Sequence, residues 1–203
     1  NNSVFKINIY HTKSDNYIRK ICNLISEYIS FISQFSISSK TITINYYLVN
    51  NNKLFNGKPT IFTVNNVNSG VCLKISKEES IINIFRTEEL LKVTIHELLH
   101  AFNVTIPDNL SIMNYYKNIY NYDFNYLNLE EAYVEFWALI INTYLFTKHT
   151  TNNYNSFYKN INKELKFSYY QYLKILEFSL TNINKYTNVL AYFIIKYELL
   201  HNL

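Results

Sequence analysis

The sequence predicts an α+β fold with a mixed N-terminal half and a helical C-terminal half. Strand-like patterns, rich in β-branched and alternating apolar residues, occur only before Arg86, and helical periodicity follows. Hydrophobic residues make up 48% of the 203-residue chain, including 20 Tyr and 14 Phe, which favours a packed core over disorder. Only two Gly and two Pro are present, so few tight turns and long helices are expected. Strands followed by helices are typical of the α+β class.

The first half contains the predicted strands. VFKINIY (residues 4–10) and TITINYYLV (41–49) alternate and carry β-branched and aromatic side chains. Between them, Asp15 is predicted to cap an amphipathic helix to about Phe35, with isoleucines along one face. A loop is predicted at residues 50–60, a hairpin of short strands around NNVNSG at 61–76, and a further strand at 80–85.

Helices are predicted for the rest of the chain. Thr87 is the expected N-cap of the next helix, with Glu88 and Glu89 in its first turn and an end near Asn103. Further helices are predicted at residues 108–118, 128–147, 154–179 and 184–201, with a break near Phe167 left open.

Charge and composition exclude several classes of partner. The net charge is +4, and the lysines are scattered, whereas a nucleic-acid groove needs a concentrated basic stripe. The longest apolar stretch, residues 136–146, is too short to span a bilayer and contains Asn142. Cys22 and Cys72 are the only cysteines, which implies no disulfide framework and favours an intracellular, cytoplasmic location. We therefore expect neither a nucleic-acid nor a membrane partner. The oligomeric state is not predicted.

The segment KVTIHELLHAF (residues 92–102) carries the chemistry. On a helix, His96 and His100 project over the same edge, so both imidazoles can reach one metal ion at about 2.0–2.1 Å. Glu97 is rotated by about 100° from His96 and suits a general base better than a ligand. The alternative is a pair of core histidines. Two buried neutral imidazoles would each need a hydrogen-bonding partner, so a metal site is favoured.

A catalytic zinc site usually has three protein ligands and one open position, so a third ligand is expected downstream. The candidates are Glu130, Glu131 and Glu135 in NLEEAYVEFWA, and two loop residues, Asp108 and Asp123. Glu131 and Glu135 are four residues apart and share a helix face. Glu131 also fits a capping arrangement with Asn128, and Glu130 suits a helix N-terminus. Glu135 lies among apolar residues, where a metal-bound histidine could be its partner.

HELLH followed by a glutamate-bearing helix resembles the gluzincin branch of zinc metallopeptidases. The resemblance implies one zincin-like catalytic domain over residues 1–203, with a strand-containing lobe (1–103), a helical lobe (104–203) and a cleft between them. It also implies Zn²⁺ bound by His96, His100 and Glu131, since EEAYV is similar to the gluzincin pattern of a Glu before a small residue. The gap in sequence from His100 to Glu131 is longer than in thermolysin-like enzymes, and Ala132 stands where those families commonly have Gly. These departures leave Glu135 as the alternative ligand.

The implied function is hydrolysis of peptide bonds in a peptide or protein by a zinc-activated water, with Glu97 as general base. Tyr192 in NVLAYFIIKY is a candidate to stabilise the oxyanion, and SGVCLKIS is a candidate edge strand for pairing with substrate. No histidine follows at metzincin spacing, the next being His149. The alternative function is a catalytically inactive zincin-fold binding module. IFRTEELLKVTIHELLHAF is also similar to an uncharacterised peptidase family of giant DNA viruses, which would make this a viral protein.

Overall fold

A computed structural model describes residues 3–49, 63–107, 109–120, 127–177 and 188–203. The chain divides into two compact units. The first comprises Asn1–Asn52 and Asn68–Val104, and the second comprises Lys53–Val67 and Thr105–Leu203. A small sheet lies in the first unit, and the described part of the second is helical, which confirms the α+β class. That the whole chain forms one catalytic domain stays a prediction.

The first unit contains a four-stranded sheet of order β1-β2-β4-β3. Its strands are β1 (Val4–His11), β2 (Thr41–Leu48), β3 (Gly70–Lys74) and β4 (Glu79–Ile84). β1, β2 and β4 are parallel, and β3 is antiparallel to β4 at one edge. The predicted strands at residues 4–10, 41–49 and 80–85 are therefore confirmed to within one residue at each end.

Two helices cover one face of this sheet. Helix α1 (Asp15–Ser33) is the crossover that a parallel β1–β2 pair requires, and it packs against α3 (Leu90–Ala101). Every second side chain of β2 is fully buried, as strand geometry dictates when one face is covered. The core of the unit is built from these β2 residues, the inner face of α1 and two residues of β4: Ile42, Ile44, Tyr46, Leu48, Ile25, Tyr28, Ile29, Ile32, Ile82 and Ile84.

An asparagine row fixes the register of the three parallel strands on the other face. Asn8, Asn45 and Asn83 occupy paired positions on β1, β2 and β4. The Asn8 amide donates to Asn45 Oδ1 at 2.8 Å, and the Asn45 amide donates to Asn83 Oδ1 at 2.9 Å. A slip of one residue would break both hydrogen bonds and would expose the apolar side chains of the opposite face.

The second unit is helical where the structure describes it. Its elements are the short helix α2 (Val64–Val67), α4 (Leu110–Tyr120), α5 (Leu129–Thr150), α6 (Tyr154–Leu176), the π-helical α7 (Leu190–Ile195) and α8 (Lys196–His201). Helix α5 packs against α6, α7 and α8. Helix α7 contributes four residues to the apolar core of this unit, more than any other element: Leu190, Ala191, Ile194 and Ile195. Tyr120 on α4 donates to Glu198 on α8 at 2.6 Å, which ties two distant segments together. In the parts of the chain that the structure describes, none of the helices combines the length and the hydrophobicity of a membrane span.

Two local predictions in the first half are wrong. The described part of the predicted hairpin, residues 63–76, does not pair with itself, because Val64–Val67 is helical and β3 pairs with β4 instead. A tight turn, in which Ile75 N–H donates to Glu79 O at 3.0 Å, brings these two strands together. Thr87 is not an N-cap, since Glu89 has a φ of 57° and α3 begins only at Leu90. A left-handed residue there breaks the helical path.

Helix ends elsewhere differ by a few residues. Ser14, rather than Asp15, occupies the cap position of α1. Helix α6 is continuous through Phe167. The predicted loop at 50–60, the first residues of the predicted hairpin, the predicted helix boundaries at 108, 179 and 184, and Asp123 lie outside the described residues.

Candidate metal centre

Helix α3 holds the HELLH motif and is buried on nearly all sides. It packs against α1, β3 and β4, so apolar residues around most of its circumference are covered. The Thr94 hydroxyl donates a hydrogen bond to Leu90 O at 2.9 Å. The Tyr46 hydroxyl lies within hydrogen-bonding distance of Thr94 Oγ1, at 3.1 Å, and this contact links α3 to β2. Phe102, directly after the helix, makes an edge-to-face contact with Phe5 on β1. The backbone that carries the motif is therefore anchored to the sheet.

The two histidines face each other on successive turns of α3. Their Nε2 atoms lie 3.2 Å apart, and their rings are inclined at 67°. His96 is 7% exposed, whereas His100 is half-buried. The predicted convergence of both imidazoles on one edge of the helix is thus present in the structure.

Glu97 lies on the β3 side of the helix. Its side chain is 6% exposed, and its Oε1 atom is 2.9 Å from the point that a Cβ would occupy on Gly70. Burial, followed by the negative charge of Glu97, raises the pKa of the Cys72 thiol to about 11. The Glu97 carboxylate is consequently close to the start of the edge strand.

Glu131 is positioned by contacts within the second unit. It lies in the first turn of α5, where Asn128 Oδ1 accepts a hydrogen bond from the Glu131 backbone N–H at 3.0 Å. This confirms the predicted capping arrangement. The Tyr192 hydroxyl, on π-helical α7, hydrogen-bonds with Glu131 and with Asn188. Burial, followed by the charge of Glu131, raises the pKa of Tyr192, so this phenol keeps its proton and donates a hydrogen bond to the carboxylate.

His96, His100 and Glu131 form a group that could hold a metal ion. One ligand atom from each residue lies within 4.8 Å of the other two. Among the described residues, neither Glu130 nor Glu135 belongs to this group. Glu135 is only 7% exposed, and its charge contributes to the raised pKa of Tyr192, so it lies near the group without joining it.

The donors fit a zinc ion in number and type. Two imidazole nitrogens and one carboxylate oxygen form a ligand set known from catalytic zinc sites. Two nitrogens bonded to one tetrahedral ion at about 2.05 Å would lie about 3.3 Å apart. The observed separation of 3.2 Å agrees with that value. The same set could also take another divalent transition metal, because such ions share these ligands.

Most of the residues predicted for the site are brought together, and two that matter were missed. The group contains His96, His100 and Glu131, while Glu97 lies toward β3 and Tyr192 contacts Glu131. Asp108 and Asp123 lie outside the described residues. Gly70 and Asn188 were not predicted. Rarity was the available signal for Gly70, one of only two glycines, whereas no sequence signal distinguishes Asn188 among so many asparagines.

Comparisons with protein-family models, curated proteins and solved structures found no match for this chain. Its function must therefore be inferred from the candidate site itself.

Proposed function

We propose that this chain is a zinc-dependent metallopeptidase of the gluzincin type, with a zincin-like fold. The observation that carries the proposal is the group formed by His96, His100 and Glu131, with a carboxylate, Glu97, directly after the first histidine. In this reading, the three grouped residues hold the zinc ion. A zinc ion bound there would polarise a substrate carbonyl and lower the pKa of a water molecule to about 7.

Glu97 acts as the general base. It is held on the same rigid helix as the two histidines but is rotated away from their edge, so it does not compete for the metal. Its carboxylate accepts a proton from the attacking water and then delivers that proton to the nitrogen of the leaving amine. Because Glu97 is buried, this transfer takes place where bulk water does not compete.

Strand β3 supports a peptide as the substrate class. It is one of the two edge strands of the described sheet, the other being β1, and it runs beside α3, the helix that carries Glu97. An edge strand can take up an extended peptide as an added strand through main-chain hydrogen bonds. Such pairing would recognise a main chain largely independently of its side chains.

Tyr192 has two possible roles in this site. Its hydroxyl donates to Glu131 and so can hold the third ligand in one orientation. The role predicted from the family resemblance, stabilising the oxyanion of the reacting carbonyl, requires the same proton. The hydrogen bond to Glu131 supports the first role, and Tyr192→Phe separates the two roles by experiment.

The decisive experiment compares the wild type with Glu97→Gln on a peptide library. Glu88→Gln is the matched control, because Glu88 lies on the exposed turn just before α3. We expect zinc in all three proteins, cleavage by the wild type and Glu88→Gln, and a loss of kcat of at least about 100-fold in Glu97→Gln. If the zinc-loaded wild type cleaves no peptide, the peptidase proposal is wrong and the alternative function, a catalytically inactive binding module, is favoured.

A further inference from the structure

Gly70 occupies a crowded position against the HELLH helix. It is the first residue of β3, is paired with Ile84 on β4, and is buried. A Cβ added there would lie 2.8 Å from Val93 Cγ1, 2.9 Å from Glu97 Oε1 and 3.2 Å from Glu97 Cγ. Carbon and oxygen atoms do not approach each other this closely without displacement. The strand can run so near to α3 only because residue 70 has no side chain.

The requirement for glycine at this position is steric. The φ of Gly70 lies outside the left-handed region, so its backbone conformation is open to any residue. The neighbouring Ser69 supports the same strand path, since its carbonyl accepts a hydrogen bond from Phe85 N–H at 3.1 Å. An alanine would therefore be tolerated by the backbone and would act only through the two α3 side chains that face it.

The two side chains differ in how they can respond. Val93 and Glu97 are one turn apart on α3, and both are buried. Val93 is β-branched, so its Cγ1 has little rotamer freedom in a helix. The Glu97 carboxylate is the far end of a flexible side chain and would move first. An added methyl group therefore displaces the atoms on which the proposed proton transfer depends.

We propose that Gly70 is a positioning residue for Glu97: the missing side chain leaves the space in which the carboxylate is held against the start of β3. The inference rests on the proposed function for its catalytic consequence, while the Gly70–Glu97 contact itself is a structural relationship. Its failure and that of the peptidase are therefore distinguishable, because kcat tests the catalytic consequence and Tm tests the contact.

The catalytic test uses Gly70→Ala in the full chain. Displacing a catalytic group by about 1 Å can cost as much as about 100-fold in rate, so we expect kcat to fall by about 10- to 100-fold while KM and zinc content are retained. Val71→Ala is the control, because residue 71 projects to the opposite face of β3 and is 39% exposed. An unchanged kcat in Gly70→Ala would overturn the inference.

The structural test needs no activity. Gly70→Ala should lower the Tm by about 3–8 °C through overpacking. In a Glu97→Ala background the same substitution should lower it less, because two of the three close contacts are gone. Equal Tm losses in the two backgrounds would overturn the inference even in an active peptidase. Conversely, a smaller Tm loss in the Glu97→Ala background, found in a protein that cleaves no peptide, would support the Gly70–Glu97 contact and contradict the proposed function.

A third variant excludes an indirect effect through Val93. Gly70→Ala combined with Val93→Ala removes the close contact with Val93 and keeps the two with Glu97. Measured against Val93→Ala alone, we expect a smaller loss of Tm but no recovery of kcat. Recovery of both would show that the methyl group acts through packing of Val93 and would overturn the positioning role.

Discussion

The Nε2 atoms of His96 and His100 lie 3.2 Å apart on successive turns of α3. Within one helix a spacing of three or four residues places two side chains face to face. A metal ion shared by both imidazoles would account for the approach of the same ring atom of each. Metal binding is therefore the first property to test.

We expect the wild type to bind about one zinc ion per chain and His100→Ala to lose most of that affinity. Loss of an outer partner typically costs 10- to 100-fold, and loss of a direct ligand should cost more. Elemental analysis and competition with a chromophoric chelator measure this. His149→Ala on α5 is the matched control, since His149 is exposed. Equal zinc content in the wild type, His100→Ala and His149→Ala would contradict a metal site at His96 and His100.

The third ligand is tested by Glu131→Gln against Glu135→Gln. Glu131 belongs to the group with the two histidines, whereas Glu135 does not. A neutral amide is a much poorer zinc ligand than a carboxylate, so we expect Glu131→Gln to weaken zinc binding strongly and Glu135→Gln to weaken it less. The reverse order would assign the ligand role to Glu135.

Tyr192→Phe separates the two roles of that tyrosine. Removing the hydroxyl takes away a hydrogen bond to Glu131, so we expect zinc affinity to fall by about 10-fold or more. If Tyr192 acted only on the oxyanion, kcat would fall while zinc affinity stayed unchanged. Isothermal titration with Zn²⁺ and steady-state kinetics on the same preparation distinguish these outcomes.

Alkylation of Cys72 reports the charge of Glu97. With a pKa of about 11, only about one thiol in a thousand is ionised at pH 8, so Cys72 should react slowly with iodoacetamide. Glu97→Gln removes the second contribution to that pKa, after burial, so the rate should rise a few-fold. Both proteins carry Cys22→Ser so that a single thiol is measured. An unchanged rate would place the Glu97 charge away from β3.

Stability should decline in alkali partly because of Tyr46. Burial raises the pKa of Tyr46, so the folded protein retains a proton that the unfolded chain begins to release near pH 10. The free energy of unfolding must then fall as the pH rises above about 10. Tyr46→Phe should reduce this fall, at a cost of about 1 kcal/mol near pH 7 from the lost contact with Thr94. Urea unfolding between pH 7 and 11 measures both effects, with the exposed Tyr158→Phe as control.

Local pattern was sufficient for much of the fold and for half of the candidate site. Alternation in residues 4–10 and 41–49 predicts strands, because a half-buried strand requires a period of two. The spacing of His96 and His100 predicts their convergence, because an α-helix returns to the same edge after four residues. The Asn128 cap of α5 was also predictable, since capping depends on adjacent residues alone.

Other features depend on contacts between distant segments. β3 pairs with β4, which follows it in the chain, and Glu89 adopts a left-handed conformation that moves the start of α3 to Leu90. Neither follows from propensity, because strand pairing and helix entry are decided by what each segment packs against.

The sequence by itself determined the two histidines, the carboxylate between them, and a short list of acidic residues for the third ligand. The residue pattern alone did not choose among Glu130, Glu131 and Glu135, because all three lie within two turns of one helix, and the family resemblance favoured Glu131 with Glu135 as the alternative. Only the tertiary structure grouped Glu131 with His96 and His100. It also brought Tyr192 into contact with Glu131 and placed Gly70 against Glu97. Such relationships join residues up to about 60 positions apart in the chain, and local chemistry carries no information about which of them the packed core brings into contact.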